Sequence, residues 1–355
     1  MSLEFIYTNS DREDVGPLKN CSLDLEIGTY DNGSNDFEIK ISSDEWDQNF
    51  TYESLFYCEG TEYGGIVKSI TIDTNSKKIT IGGITPRGIL NNDYIEPRTR
   101  NDEYYNLQGE ANAVLGEYIN GSRTIFNYIN ETEKTISVNN PLNNYFIVSS
   151  EDSGIQLNYQ ARYINTLQAF EKALANAGAK LQFKWTENGM IEISAVSIVD
   201  HSDKLQFDND YGLKIVAKKN TNNYNHCIGL GKNELKDRQI VHVFKINDEY
   251  LELNEITDIS SIPANLVTMI YDYSSVESVD ELIEGTKTKL QEAQEKNELS
   301  MEFENLDADI CDLVGAKEYI TGISLKTAIT RKILKATFYE DSDENEYDIE
   351  YKVGE

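Results

Sequence analysis

The sequence predicts a β-rich, mixed α+β protein in which two β modules are separated by α/β insertions. Three observations carry this. Apolar and polar residues alternate in short runs through the first hundred residues. Two segments with helix-capping signals interrupt the middle of the chain, and alternation returns at the C-terminal end.

In the first region, "SLDLEIG" (22–28), "DFEIKIS" (36–42) and "VKSITID" (67–73) each place an apolar residue at every second position. That is the period of a half-buried antiparallel strand. Turn residues separate these runs: "DNGSND" at 31–36 and "TNSKK" at 74–78. The second predicts a hairpin between "VKSITID" and "KITIGGI". Short strands at this spacing point to a small sandwich or barrel.

The texture changes near Glu96. "EANAVLGEYI" (110–119) puts Ala111, Val114, Leu115 and Tyr118 on one helical face. "NTLQAFEKALANAGAK" predicts a second helix, with Asn165 and Gln168 as a capping box and Gly178 as the C-terminal stop. Its expected buried stripe is Leu167, Phe170, Leu174 and Ala177. "KLQFKW" and "MIEISAV", joined by "TENG", predict another hairpin. Strand texture resumes at "LKIVAKK" (213–219) and "QIVHVFKI" (239–246). A last helix is predicted over "SVDELIEGTKTKLQEAQEKN", capped by Ser278 with Glu281, with Val279, Leu282, Ile283, Leu290 and Ala293 near one face. "KEYITGISLKT", "KILKATFYE" and "EYDIEYKV" close the chain as strands. No internal repeat of roughly 20–50 residues is visible.

Composition bounds the function. The 355 residues are 39% hydrophobic and 26% charged, with 22 Tyr and 12 Phe, enough for a folded core in more than one domain. There are 62 acids against 32 Lys and Arg, a formal net charge of −30. Such a surface repels nucleic acid and anionic lipid, so gripping either is a poor expectation. Cys21, Cys58, Cys227 and Cys311 lie far apart without a CxxC pair, which predicts buried reduced thiols. The N-terminus "MSLEFIYTNSDRED" has no basic flank and no long apolar run, so no signal peptide is expected. No stretch approaches the roughly 18 apolar residues of a membrane span.

The stretch "GLGKNELKDR" (229–238) invites a phosphate-loop reading. Gly229 and Gly231 fit the start of GxGxxG, but the third position is Glu234. Gly231 and Lys232 fit the end of a Walker loop, but His226 and Asn233 occupy its other required positions. The residues after Arg238 are strand-like, so no helix N-terminus faces the loop. The expectation is a glycine turn or bulge between strands. His226 neighbours Cys227, yet adjacent strand residues point to opposite faces. His226 and His242 are placed to pair across a hairpin, without metal-site spacing. His201, His226 and His242 are therefore read as structural or surface histidines. "DADICD" (307–312) lacks the glycine and distal glutamate of a calcium loop and reads as a strand edge or turn. With no GxSxG and no singled-out carboxylate pair, no catalytic residue, metal or cofactor is expected.

The order of segments resembles the phage tail hub family, the central baseplate or tail-tip proteins of long-tailed phages and prophages, including the N-terminal region of tail-associated lysins. The matching segments are "SLDLEIGTYDNGSNDFEIKIS", "GTEYGGIVKSITIDTNSKKITIGGITPRGILNNDYIEP", "LQAFEKALANAGAKLQFKW", "DNDYGLKIVAKKNTNNYNHCIGLGKNELKDRQIV" and "LDADICDLVGAKEYITGISLKTAITRKI", ending in "YDIEYKVGE". One departure stands in the last module: Cys311-Asp312 replaces the Gly-Asp that the family often carries, which puts the local turn in question.

The resemblance implies two tube-type antiparallel β-barrel modules with inserted α/β domains. The boundaries are 1–97 for the first barrel, 98–205 for an α/β domain, 206–245 plus 299–355 for the second barrel, and 246–298 for an insert with a helix. It implies a homotrimer whose six barrels continue a sixfold tail tube and adapt it to a threefold tip. The implied partners are the tail tube and distal tail or baseplate proteins. DNA would pass through without specific binding, which an acidic lumen would favour. The protein would assemble in the bacterial cytoplasm and reside in the virion, as a structural component and not an enzyme, ending where the second module ends. Gly229, Gly231, Lys232, Glu234, Lys236, Asp237 and Arg238 match the turn after the strand that opens the second module, and are candidates for a subunit or tube interface. Two other readings belong to different classes: a tail-tip cell-wall hydrolase, and an acidic glycan-binding module that would present an aromatic-lined groove.

Overall fold

The computed structural model describes residues 3–129, 132–202, 206–207, 214–218, 224–247, 249–274, 276, 278–293, 298–302, 308–317 and 324–353. The fold is β-rich and mixed α+β. The chain divides into two compact units, Met1–Val216 with Ser300–Glu355, and Ala217–Leu299.

An 11-stranded sheet forms the frame of the first unit. Its order runs from Gln206–Phe207 through Leu313–Lys317, Ser324–Phe338, Cys21–Gly28, Asp36–Ser42, Lys78–Ile84, Gly64–Asp73, Leu55–Tyr57 and Ile6–Thr8 to Asp14–Pro17, with Glu346–Val353 paired to Ser324–Phe338. The alternation in "SLDLEIG" becomes burial on one face: Leu23, Leu25 and Ile27 are buried, and they pack with Phe37, Ile39, Phe56, Ile81, Leu334 and Phe338. The 74–77 turn joins Asp73 to its partner Lys78 as expected. Among the described residues this sheet is an open path and closes into no barrel.

Ser324–Phe338 changes partners along its length. Residues 324–328 pair with Leu313–Lys317. From Arg331 onward the strand is flanked on one side by Cys21–Gly28 and on the other by Glu346–Val353. A register shift between Ile329 and Arg331 marks the change, as expected of a bulge that bends a strand from one ladder to another. The strand expected over 317–327 therefore continues into the one expected over 332–340, although 318–323 lie outside the described residues.

The rest of the first unit is α/β. The helix Ala111–Asn120 begins at Glu110, whose carboxylate accepts from the Asn112 and Ala113 N–H groups. Burial opposes that charge, but the Ser153 hydroxyl and three backbone N–H groups hold the Glu110 carboxyl down at about 2. The helix Thr166–Ala175 is capped by Asn165 accepting from the Gln168 N–H, and Gly178 takes the left-handed conformation expected of a stop. Because this helix ends at Ala175, Ala177 is exposed and Ala173 takes its expected place in the buried stripe. Both helices contribute to one core with Phe146, Phe183, Trp185 and Ile193 from a three-stranded sheet. The expected hairpin is there, Ala179–Trp185 with Ile191–Ser197, and Phe146–Val148 adds to it in parallel.

Arg87, only 2% exposed, sits on the short helix Pro86–Asn91. Its guanidinium bonds Glu62 at 2.6 Å and Glu171 at 3.4 Å, and lies over the Phe183 ring. Burial raises the Glu171 carboxyl to about 7 despite the pull of Arg87. Lys180, also buried, reaches Asp312 at 2.7 Å. Asp312 in turn accepts from the Val199 and Asp309 N–H groups, each at 2.9 Å. The "DADICD" stretch is thus a turn, as expected, with Asp307 outside the described residues.

The second unit is a four-stranded sheet in the order Glu249–Glu252, Ile240–Ile246, His226–Leu230 and Thr268–Asp272, packed with the helix Val279–Glu292. The helix cap is as expected, the Ser278 hydroxyl accepting from the Glu281 N–H. Leu282 and Leu290 are buried, while Val279, in the first turn, is exposed. The expected boundary at 245 differs from the observed one. Ile246 pairs with Glu249, and 224–245 fall with the helix Val279–Glu292 in the unit Ala217–Leu299, not with 300–355. Two small cores, Cys227, Val243 and Leu290 in one and Val241, Val276 and Leu282 in the other, explain the grouping. Lys214–Lys218 and Glu298–Glu302 are strands; Leu213 and Lys219 of the expected strand, and 294–297 of the expected helix, lie outside the described residues. No described helix is long and apolar enough to cross a membrane.

The Cys311 departure now has a physical reading. Cys311 has φ of 73°, a left-handed conformation that favours glycine, so the turn is kept at a steric cost. Its thiol is pushed by burial to about 11. Cys311→Gly is expected to change stability by no more than about 1 kcal/mol, whereas the β-branched Cys311→Val should cost about 1–3 kcal/mol. Urea unfolding of the three proteins measures both.

Candidate subunit interface

Gly229 lies in the middle of the sheet of the second unit, paired with Val241 on one side and Tyr271 on the other. The helix Val279–Glu292 crosses close above it. A Cβ at Gly229 would stand 2.1 Å from the Thr286 hydroxyl and 2.7 Å from Val241, and one at Gly231 would stand 2.8 Å from Leu282. The two glycines therefore let the helix seat on the sheet.

Beyond Gly231 the chain forms a loop closed at its base. The Gly231 N–H donates to the Gln239 carbonyl at 2.8 Å, and the Gln239 N–H donates to the Lys232 carbonyl at 2.9 Å. Arg238 braces the same base, donating to the Gly231 carbonyl at 3.2 Å and to Asp272 at 2.5 Å. A single 3-10 turn, Leu235–Asp237, makes the tip. Asn233 and Leu235 both have positive φ, 67° and 52°, which lifts the tip away from the ladder. Lys232, Glu234, Lys236 and Asp237 are exposed there, and Leu235 is 91% exposed.

This geometry does not cradle a phosphate. The Gly231 N–H is used within the loop, and the chain leaves through a 3-10 turn into a strand, not a helix. Of the seven predicted residues, the structure brings Gly231 and Arg238 together. It buries Gly229 and Gly231 under the helix and leaves Lys232, Glu234, Lys236 and Asp237 at the tip. Sequence reasoning missed Leu235, whose apolar character reads as core until the turn is known.

His226 and His242 meet across the hairpin. His226 Nε2 and His242 Nδ1 are 2.9 Å apart, and His226 Nδ1 is 2.9 Å from the Thr268 hydroxyl. Phe244 stacks on His226 at 4.5 Å. Burial, and then the neighbouring His242, lower the His226 pKa. Cys227 points to the helix side of the sheet, among Val243 and Leu290. No group of three or more metal-ligating side chains is found among the described residues.

No protein-family model and no curated protein matches the chain. Solved structures do. Prophage tail protein gp18 from Listeria monocytogenes EGD-e aligns over 98% of this chain and 94% of its own, with a TM-score of 0.50 at 10% identity. The 43 kDa tail protein of prophage MuSo2 from Shewanella oneidensis aligns over 99% and 98%, with a TM-score of 0.51 at 10% identity. The chain has the fold of prophage tail proteins.

Within this tail-protein fold, the candidate loop projects from a sheet whose helix packing leaves no room for a side chain at Gly229. Gly229→Ala is expected to destabilise the protein by about 1–3 kcal/mol, the usual range for overpacking. Thr286→Ala in the same chain should recover part of that loss. Thermal unfolding of the single and double variants checks it; equal stability of Gly229→Ala and the parent would show that the helix is not held this closely.

Proposed function

We propose that this protein is a structural component of a bacteriophage or prophage tail: a hub of three copies at the tail tip or baseplate, joining the sixfold tail tube to a threefold tip. The observation that carries this reading is the end-to-end fold likeness to two prophage tail proteins, covering 98% and 99% of the chain. A likeness confined to one domain would suit a shared module; one that spans both units suits a shared architecture.

In this reading the strands within 1–97 supply one tube-type module, and those of 299–355 with 206–207 supply much of the second. Residues 98–205 and the second unit are the inserted parts. Both sets of strands lie in one sheet, joined by the ladder between Ser324–Phe338 and Cys21–Gly28. The loop at 232–238, held at its base by Arg238 and presenting Lys232, Glu234, Lys236 and Asp237, would contact a neighbouring subunit or the tube. The net charge of −30 suits a wall that DNA passes without binding. The role is structural, with no catalytic step, and the protein would reside in the virion beside tail tube and distal tail proteins.

Removing the coding sequence in frame from the phage or prophage should abolish tail completion, leaving heads without functional tails by negative-stain microscopy, and expression in trans should restore them. Normal, infectious tails in its absence would overturn the reading.

A further inference from the structure

The strands Ser122–Ile129 and Thr132–Asn139 form a hairpin that pairs with nothing else among the described strands. Its register is regular along its length, from Ser122 opposite Asn139 to Ile129 opposite Thr132. A two-stranded sheet by itself is marginally stable in water and gains from a cover on its apolar face.

The register separates the two faces. Ile125 stands opposite Ile136, Arg123 opposite Val138, and Asn127 opposite Lys134. Ile125, Ile129, Ile136 and Val138 therefore share one face, and all four are exposed, Ile129 at 65%. On the other face Phe126 is half-buried, and the Arg100 guanidinium lies 3.4 Å from the centre of the Tyr128 ring. At its base the isoleucine face is tied to the body, where Arg123 bonds Asp93 and the Tyr118 hydroxyl, and beyond that Ile125, Ile129, Ile136 and Val138 stand exposed.

A cluster of four exposed β-branched residues is unusual on a chain this rich in charge, and clusters of this kind mark contact surfaces. Its charge narrows the choice of partner. No acidic residue occupies the described positions of this face, and its cations are Arg123, paired with Asp93, and Lys134. The whole chain carries −30. Two copies meeting through most other surfaces would set acid against acid, whereas an apolar face edged by a cation meets the same acidic surface without that repulsion.

We propose that this hairpin is a docking arm whose apolar face is covered by a second copy of this chain. The choice of a second copy rests on the hub reading, in which neighbouring copies are held side by side. A photoreactive benzophenone amino acid in place of Ile136, irradiated in purified tails, should give an adduct of twice the chain mass containing only this protein. Ile129→Asp in the same background should lower its yield at least about tenfold, as expected when a charge replaces an apolar anchor at an interface. Thermal unfolding of both variants confirms that the chain still folds. An adduct with a different tail protein, or none in tails that contain the chain, would overturn the arm while leaving the tail role standing. Absence of the unaltered chain from purified tails would instead overturn the tail role itself.

Discussion

The first unit depends on the ladder between Ser324–Phe338 and Cys21–Gly28. These strands lie some three hundred positions apart in sequence, so their pairing closes a very long loop before any contact rewards it. What offsets that cost is burial: Leu334, Ala336 and Phe338 join Leu23, Leu25 and Ile27 in one apolar core. The α/β segment and the second unit both fall between the paired strands in sequence.

Charge follows a second constraint. Among so many acids, several cations are drawn inward: Arg87 to Glu62 and Glu171, Lys180 to Asp312, and Arg123 to Asp93. Buried pairs of this kind add little net stability compared with apolar packing, but losing one partner is costly because the other stays buried. They hold the short Pro86–Asn91 helix and the Asp309–Asp312 turn against the α/β segment, and leave a strongly acidic outer surface. On such a surface a face without acids, such as the isoleucine face of the 122–139 hairpin, is where association with an acidic partner is least opposed.

Much of this was legible in the sequence where local chemistry decides the outcome. Alternation located Cys21–Gly28 and Asp36–Ser42, and side-chain caps located Thr166–Ala175 and Val279–Glu292. The misses share a cause: they depend on what lies across space. Arg87 is buried because two distant glutamates surround it, and nothing in "TPRGIL" announces them. The 224–245 segment groups with the helical insert because Cys227, Val241 and Val243 share small cores with Leu282 and Leu290 of the helix. Of the candidate interface, the turn and its glycines were foreseen. That Arg238 braces the loop's base, and that Leu235 stands exposed at its tip, depends on a closure involving Asp272 that the sequence does not spell out.

The central claim, a threefold hub at the end of a sixfold tube, is tested most directly by electron cryo-microscopy of the intact tail tip. Three copies of this chain should form one closed ring, coaxial with the tube, with six tube-like modules facing the last tube ring. Six copies, a single copy, or a position off the tube axis would contradict it.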